Sequence, residues 1–279
     1  MKNLIKHIFN TITHNLLRLF STFNAGRYLI ELIQNNIMNL RKKIVHNNIE
    51  LTFFTPNRIC YYRAETFASK EPETIIWIDE FDENDTLWDI GANIGLYTCY
   101  AAKKNINVFS FEPSVFNLEL LAKNIYCNKV EDKVVLVPIA ISNSNTIQTF
   151  NMSSIKHGGA MSSLGKDIYD QSGKLLEKIF KYQLTSIKPI DFLKVMNLKK
   201  PNHIKIDVDG IEYMILSGLE EIFDDVKSIL IEVDRNFKDK MVKIKNLLEK
   251  NNFILQKDFK NNLEISSSQF NQIWIKKND

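Results

Sequence analysis

Thr86-Leu87-Trp88-Asp89-Ile90-Gly91-Ala92-Asn93-Ile94-Gly95-Leu96-Tyr97-Thr98 is the stretch on which the fold turns. A short run of strand character enters a turn with two glycines and leaves it as a helix, which is how a βαβ unit begins. Downstream the same texture repeats, with short apolar runs alternating with longer helical patterns. The spacing predicts strands at Thr86–Ile90, Asn107–Glu112, Val134–Ile139, His203–Val208 and Ser228–Val233, and two more near Phe253–Gln256 and Gln272–Ile275. The fold class is therefore α/β, a Rossmann-like domain with a mostly parallel sheet and a helical N-terminal extension.

Upstream of Thr86 the pattern differs. Leu4, Ile5, Ile8, Phe9, Ile12, Leu16, Leu19 and Phe20 recur at helical spacing, and helical character extends to about Val45. Ile49–Phe54 and Arg58–Tyr62 read as a hairpin turned at Thr55-Pro56-Asn57, followed by a helical or irregular linker around Glu65–Glu80. This divides the chain into an extension over 1–80 and a Rossmann-like domain over 81–279. Between the third and fourth strands, Asn143 to Lys188 interrupts the rhythm with polar residues and glycines and reads as a long functional loop.

Composition narrows the function classes. A net charge of +3 with scattered lysines leaves no basic stripe for nucleic acid. The three cysteines, Cys60, Cys99 and Cys127, lack metal-ligand spacing and sit in apolar or helical stretches, which points to a reducing, cytoplasmic setting. The N-terminal apolar residues are broken by Asn10, Thr11, Thr13, His14 and Asn15, so neither a signal-peptide core nor a transmembrane span is expected.

Three motifs carry chemistry. The glycines of Asp89-Ile90-Gly91-Ala92-Asn93-Ile94-Gly95 let backbone approach a ligand at a helix N-terminus. The spacing is neither G-x-G-x-x-G nor a phosphate loop, and the Asp89 carboxylate repels phosphates. A cationic ligand suits it better, and S-adenosylmethionine carries a sulfonium and an ammonium. Glu112 ends the second strand, where an acidic side chain accepts hydrogen bonds from ribose hydroxyls. The competing reading of Glu112 is a helix N-terminal charge beside Pro113.

The third motif is Ile204-Lys205-Ile206-Asp207-Val208-Asp209-Gly210-Ile211-Glu212. A central parallel strand should be almost wholly apolar, yet alternation puts Lys205 and Asp207 on one face. Ligands of such sheets lie beyond the carboxyl ends of the strands, so Asp207 and Asp209 should point at reacting groups. The structural alternative is a buried Lys205–Asp207 pair. Asp207 is the first choice for an acceptor-activating base, with Asp209 second and Lys205 orienting the carboxylate. Carboxylates at Asp207, Asp209 and Glu232 are also compatible with a divalent metal. His157, in the glycine-containing loop, is either a surface histidine or a base or substrate contact on a closing loop.

With these segments in hand, the chain resembles the FkbM family of methyltransferases from about Phe54 to Glu232. The resemblance is carried by Asp89 to Thr98, Phe111-Glu112-Pro113, Ala140-Ile141-Ser142, Gly159 to Leu164, and Ile204 to Glu212. It implies a class I methyltransferase fold, a seven-stranded sheet whose last strand is antiparallel, and S-adenosylmethionine as methyl donor. It also implies O-methylation of a small-molecule or glycan acceptor. Carried over residue by residue, it places the methionine part of the cofactor near Asp89, Gly91, Asn93, Gly95 and Thr98, the ribose on Glu112, and the adenine near Ala140–Ser142. Two enzyme rivals are weaker: a dinucleotide-dependent epimerase lacks its third glycine, and a nucleic-acid base methyltransferase lacks its strand-end motif here. A non-catalytic scaffold of the same fold is the alternative from another class, and retention of Asp89, Glu112 and Asp207 together speaks against it.

Overall fold

A computed structural model describes residues 2–167, 169, 174–258 and 268–277. Helices α1 (Lys2–Phe20) and α2 (Asn24–Met38) lead into an antiparallel hairpin of β1 (Arg41–His46) and β2 (Ile49–Phe54). Three short helices follow: α3 (Arg58–Glu65), α4 (Phe67–Lys70) and α5 (Pro72–Asp79). The expected hairpin is thus displaced. Its first strand pairs backwards with Arg41–His46 through the Asn47-Asn48 turn, where both residues have positive φ. Arg58–Tyr62 is helical instead, because Asn57 caps it by accepting from the Cys60 amide at 2.9 Å. Pro56 and Asn57 therefore start a helix rather than turn a hairpin.

The main sheet is built from β3 (Thr86–Ile90), then α6 (Leu96–Lys103), β4 (Asn107–Phe111), α7 (Val115–Asn128) and β5 (Val134–Val137). The chain then makes an excursion through β6 (Ala140–Ile141), β7 (Thr146–Met152), β8 (Ser162–Leu164) and β9 (Phe180–Ile187). It returns through α8 (Pro189–Met196), β10 (His203–Ile206), α9 (Glu212–Leu219), β11 (Ser228–Asp234), α10 (Lys238–Lys250), β12 (Phe253–Asp258) and β13 (Gln269–Lys276). Strand order is β12-β13-β11-β10-β3-β4-β5, and β13 runs antiparallel to both neighbours while the remaining pairings are parallel. This is the expected seven-stranded sheet with its reversed last strand.

Alternation along the strands divides the core. Trp88, Ile90, Ile204, Ile206, Ile229 and Ile231 pack on one face against Phe192, Leu216 and Leu248 of α8, α9 and α10. Leu87, Val108, Leu230 and Ile273 pack on the other against Trp77, Tyr100 and Leu121 of α5, α6 and α7. Leu51 and Phe53 of β2 join that second face. Asn128 and Asn124 fix β2 to α7, exchanging bonds with Thr52 at 2.8 and 2.9 Å and accepting from the Phe54 amide at 2.8 Å. Residues from Arg41 onward therefore share the core with the sheet, whereas α1 packs substantially only on α2.

The segment expected to be a long loop is largely ordered. Its strands β7, β8 and β9 join β6 in a second, four-stranded sheet in the order β6-β9-β7-β8, with all of β7 paired antiparallel to β9. Thr146–Met152 is exposed at its start and buried at its end, and Phe180–Ile187 is mostly exposed, so neither strand carries a clean alternation of apolar and polar residues. Among the described residues, no helix is long and apolar enough to cross a membrane.

Candidate cofactor and acceptor site

The glycine turn approaches the end of β10 closely. Gly91 has φ +88°, and a Cβ there would run into the Asp207 carbonyl, so only glycine fits. Gly95, at φ +81°, starts α6 against Leu121 of α7. Between them, the Asn93 amide donates to Glu112 Oε2 at 2.7 Å, and the Ser114 amide donates to Oε1 at 2.7 Å. Each carboxylate oxygen retains a further lone-pair direction for a ligand hydroxyl. Burial pushes the Glu112 carboxyl up to about 7, against the opposing pull of those two amides.

These residues border a cavity of about 320 Å³. Its walls include Gly91, Asn93 and Glu112 on one side, Ala140 and Ile141 on a second, and Asp207, Asp209 and Glu232 at the strand ends. Gly159, Ala160, Met161 and Ser162 close it from above. That loop is pinned by the protein itself. Asn93 Nδ2 donates to the Gly159 carbonyl at 2.9 Å, Arg63 Nε donates to the Gly158 carbonyl at 2.8 Å, and the Gly158 amide donates to Asn117 Oδ1 at 2.9 Å.

Several expected site residues lie behind this wall rather than on it. Asp89 is buried beneath the turn, where Oδ2 accepts from Thr98 Oγ1 at 2.6 Å and Oδ1 has no hydrogen-bond partner but lies 3.9 Å from Lys205 Nζ. Its counter-charge is therefore Lys205, and neither Asp89 nor Thr98 borders the cavity. Ser142 is also fully buried, so Ala140 and Ile141 supply that part of the wall. His157 lies outside the wall as well, on the side of its reading as a surface histidine. Its Nε2 lies 3.1 Å from Glu119 Oε2 on α7, outside the cavity lining, because its backbone carbonyl is held by Asn57 and Cys60.

Lys205 is 1% exposed and donates to Asp207 Oδ2 at 2.6 Å. Burial works against its charge, but Asp207, Asp89 and Glu71 outweigh it and hold the ammonium well above its usual range. The same pairing holds the Asp207 carboxyl low despite burial. Asp209, two residues on, behaves oppositely. Burial pushes it up to about 6, although the Ser162 amide donates to its Oδ2 at 3.0 Å. Burial and the neighbouring Asp207, Glu71 and Asp209 raise Glu232 well above the carboxylate range. Among the described residues, no three His, Cys, Asp or Glu side chains converge as metal ligands.

Asp209 and Gln269 also border a second cavity, of about 460 Å³. Its walls combine Tyr169 and Phe237, whose ring centroids are 6.3 Å apart, with Asn151, Asp167, Asp234 and the lysines Lys166, Lys178 and Lys240. Sequence reading missed Arg63, Lys70 and Gln269, which also border the first cavity. They come from short helices and a strand start with no motif spacing, so only the tertiary fold brings them in.

The sequence pattern of the methyltransferase FkbM domain matches residues 89–255, more than half of the chain. The chain belongs to the FkbM methyltransferase family. Among curated relatives, the hexuronic acid methyltransferase AglP of Haloferax volcanii is 27% identical over 175 residues, covering 62% of this chain and 65% of AglP. This FkbM-family chain thus matches slightly under two thirds of that relative's length. Methyltransferase 1 of Beauveria bassiana is 25% identical over 184 residues, covering 62% and 74%. Among solved structures, a SAM dependent methyltransferase from Agrobacterium tumefaciens superposes with a TM-score of 0.49 at 10% identity, covering 85% of this chain and 70% of that one. The precorrin-6y C5,15-methyltransferase of Geobacter metallireducens gives 0.45 at 13%, covering 75% and 90%.

Proposed function

We propose that this chain is an S-adenosylmethionine-dependent O-methyltransferase whose acceptor is a sugar or glycan hydroxyl, with the cofactor in the first cavity and the acceptor in the second. The observation that carries this reading is Asp209, a half-buried carboxylate bordering both cavities with its carboxyl raised to about 6. The residues fit the cofactor: Gly91, pressed against the Asp207 carbonyl, brings bare backbone to the cavity wall, and Glu112 presents unused acceptor directions beside it. Bound there, S-adenosylmethionine supplies an electrophilic methyl group.

The chain supplies the rest. Asp209 takes the proton of the acceptor hydroxyl, and its raised carboxyl makes it a better base near neutral pH than Asp207. Asp207 is committed to Lys205, and this pair keeps the floor of the site rigid. The Gly159–Ser162 loop keeps water from the methyl, while the cavity walls align the acceptor oxygen, which supplies much of the acceleration. For the acceptor, the sugar class rests on AglP, whose name specifies a hexuronic acid. The Tyr169 and Phe237 rings beside hydrogen-bonding side chains suit a pyranose, and Lys240, whose ammonium donates to the Gly210 carbonyl at 2.8 Å, is the cation placed to meet the carboxylate of an acidic one.

The test is methyl transfer from labelled S-adenosylmethionine to a panel of uronic-acid and neutral glycans, with mass spectrometry of the product. Incorporation on a sugar oxygen is expected, with uronic acids preferred. Failure to bind S-adenosylhomocysteine would overturn the cofactor assignment, and incorporation only into nucleic acid or protein would overturn the acceptor assignment.

A further inference from the structure

Helices α1 and α2 stand outside the shared core and leave apolar side chains uncovered. On α1 these include Leu4, Ile8, Phe9, Ile12, Leu16 and Leu19, with Phe9 at 66% of its full exposure. Leu29, Leu32, Ile33 and Ile37 do the same on α2. At about 100° per residue the α1 set occupies one continuous arc, and Lys6 and Arg18 fall at its opposite margins. Both cations are exposed. No acidic residue lies anywhere in α1.

Charge is distributed unevenly along the chain. The first 40 residues carry Lys2, Lys6, Arg18 and Arg27 against Glu31 alone, a net +3 that equals the charge of the whole chain, so residues 41–279 are neutral in sum. Near the turn between the helices, Phe20 and Phe23 pair at 5.8 Å between ring centroids. The turn is fixed: Arg27 Nε donates to the Ser21 carbonyl at 2.7 Å, and Gly26 lets α2 press against the Phe20 backbone where a Cβ would collide. The apolar arc is therefore displayed on a preformed helical hairpin.

We propose that α1 and α2 form a docking surface for an anionic lipid bilayer, lying along it with the apolar arc in the headgroup–acyl boundary and the cations at the headgroups. Basic margins around an apolar arc, with aromatic rings near one end, are what such an interface selects. A second copy of the chain would cover the same apolar residues, but it would bring two net-positive hairpins together. The site described above would then work beside the membrane, and this inference stands whether or not the acceptor assignment holds.

Flotation of the full chain with vesicles of phosphatidylcholine alone, and of phosphatidylcholine mixed with phosphatidylglycerol, tests the proposal. Binding is expected to the mixed vesicles, weakening with salt and much weaker on the neutral ones. Lys6→Gln and Arg18→Gln should each lower partitioning about fivefold, and Ile8→Ser combined with Ile12→Ser more than about tenfold. All four positions are exposed, so an unchanged thermal melt verifies the fold of each variant. Equal binding to both vesicle types would overturn the charge argument. Absence of vesicle binding together with a dimer in light scattering that Ile8→Ser with Ile12→Ser dissolves would assign the surface to a second copy instead.

Discussion

At its first residue β10 buries His203 in a closed network, and around its last it gathers buried and half-buried carboxylates that the protein leaves partly unsatisfied. At the entry end, Trp77 Nε1 donates to Ser228 Oγ at 2.8 Å, Ser228 Oγ lies 2.7 Å from His203 Nδ1, and His203 Nε2 lies 2.9 Å from Asp85 Oδ2. The Asp85 carboxylate only accepts, so Nε2–H donates to it, which leaves the bare Nδ1 to accept from the Ser228 hydroxyl, while the indole donates to Ser228 Oγ. Lys227 balances Asp85 at 3.0 Å, and Phe81 stacks on the imidazole at 3.6 Å. At the exit end Asp89 Oδ1 lacks a hydrogen-bond donor, and Asp209, Glu212 and Glu232 are all raised by burial. Satisfied polar groups hold the sheet together, and strained ones are kept where a reaction can use them.

The largest effect expected from this contrast is at Asp209. Asp209→Asn should lower methyl transfer about 10²–10⁴-fold while S-adenosylhomocysteine affinity stays within a few-fold and the thermal midpoint barely moves. The wild-type rate should fall as pH drops through about 6, where Asp209 takes up a proton, and the variant should lose that step. A pH–rate profile beside a thermal melt checks both. An unfolded variant, or an undiminished rate, would place Asp209 with the structural groups and erase the contrast.

The entry end should respond the other way. His203→Ala leaves Asp85 and Ser228 short of partners and should cost about 3 kcal/mol, lowering the thermal midpoint by roughly 5–10 °C with the rate of the folded fraction unchanged. Burial holds the His203 imidazole down to about 4 although Asp85 pulls it up. Because the folded pKa lies below the unfolded value of about 6.5, its contribution is complete above about 6.5 and is lost as pH falls toward about 4. Denaturant melts across that window should show the loss in the wild type and not in His203→Ala.

A third variant probes the cofactor wall. Glu112→Ala should weaken S-adenosylhomocysteine binding about 10- to 100-fold, since hydrogen bonds to a charged group contribute roughly 1.5–3 kcal/mol. Calorimetry on the folded variant decides, and unchanged affinity would move the ribose elsewhere.

How much of this was legible depended on whether chemistry left a local trace. The βαβ rhythm, the glycine turn and the reversed last strand followed from periodicity and from the family resemblance, and the sheet has that order. The charges on β10 were conspicuous because a buried strand otherwise excludes them, and Lys205 and Asp207 do pair. What periodicity could not supply was depth. Asp89 and Thr98 belong to the right turn but point beneath it, because alternation gives a face and not a distance from the ligand. Arg63 reaches the cavity from the helix that Asn57 starts where a strand was expected, and Lys70 from the next short helix, in a stretch read only as a helical or irregular linker. The second sheet was hidden because its strands are half-exposed and separated by loops far longer than a hairpin turn.

The smallest expected effect concerns His157, which a glycine-containing loop made a candidate for catalysis. Its imidazole lies 3.1 Å from Glu119, an arrangement on the outer surface of α7 that both side chains reach from partly solvated positions. Such pairs contribute about 0–1 kcal/mol. The loop does not depend on that ring, because Arg63, Asn93 and Asn117 hold the glycines through backbone atoms. His157→Ala should therefore change the methyl-transfer rate by less than about twofold and the stability by about 0.5 kcal/mol. Removing the loop's anchors should matter more, so Asn117→Ala, which frees the Gly158 amide, provides the internal control. If His157→Ala lowered the rate tenfold or more while Asn117→Ala did not, the imidazole would have to swing into the site during turnover, and the division between holding groups and reacting groups would have to be redrawn around a moving loop.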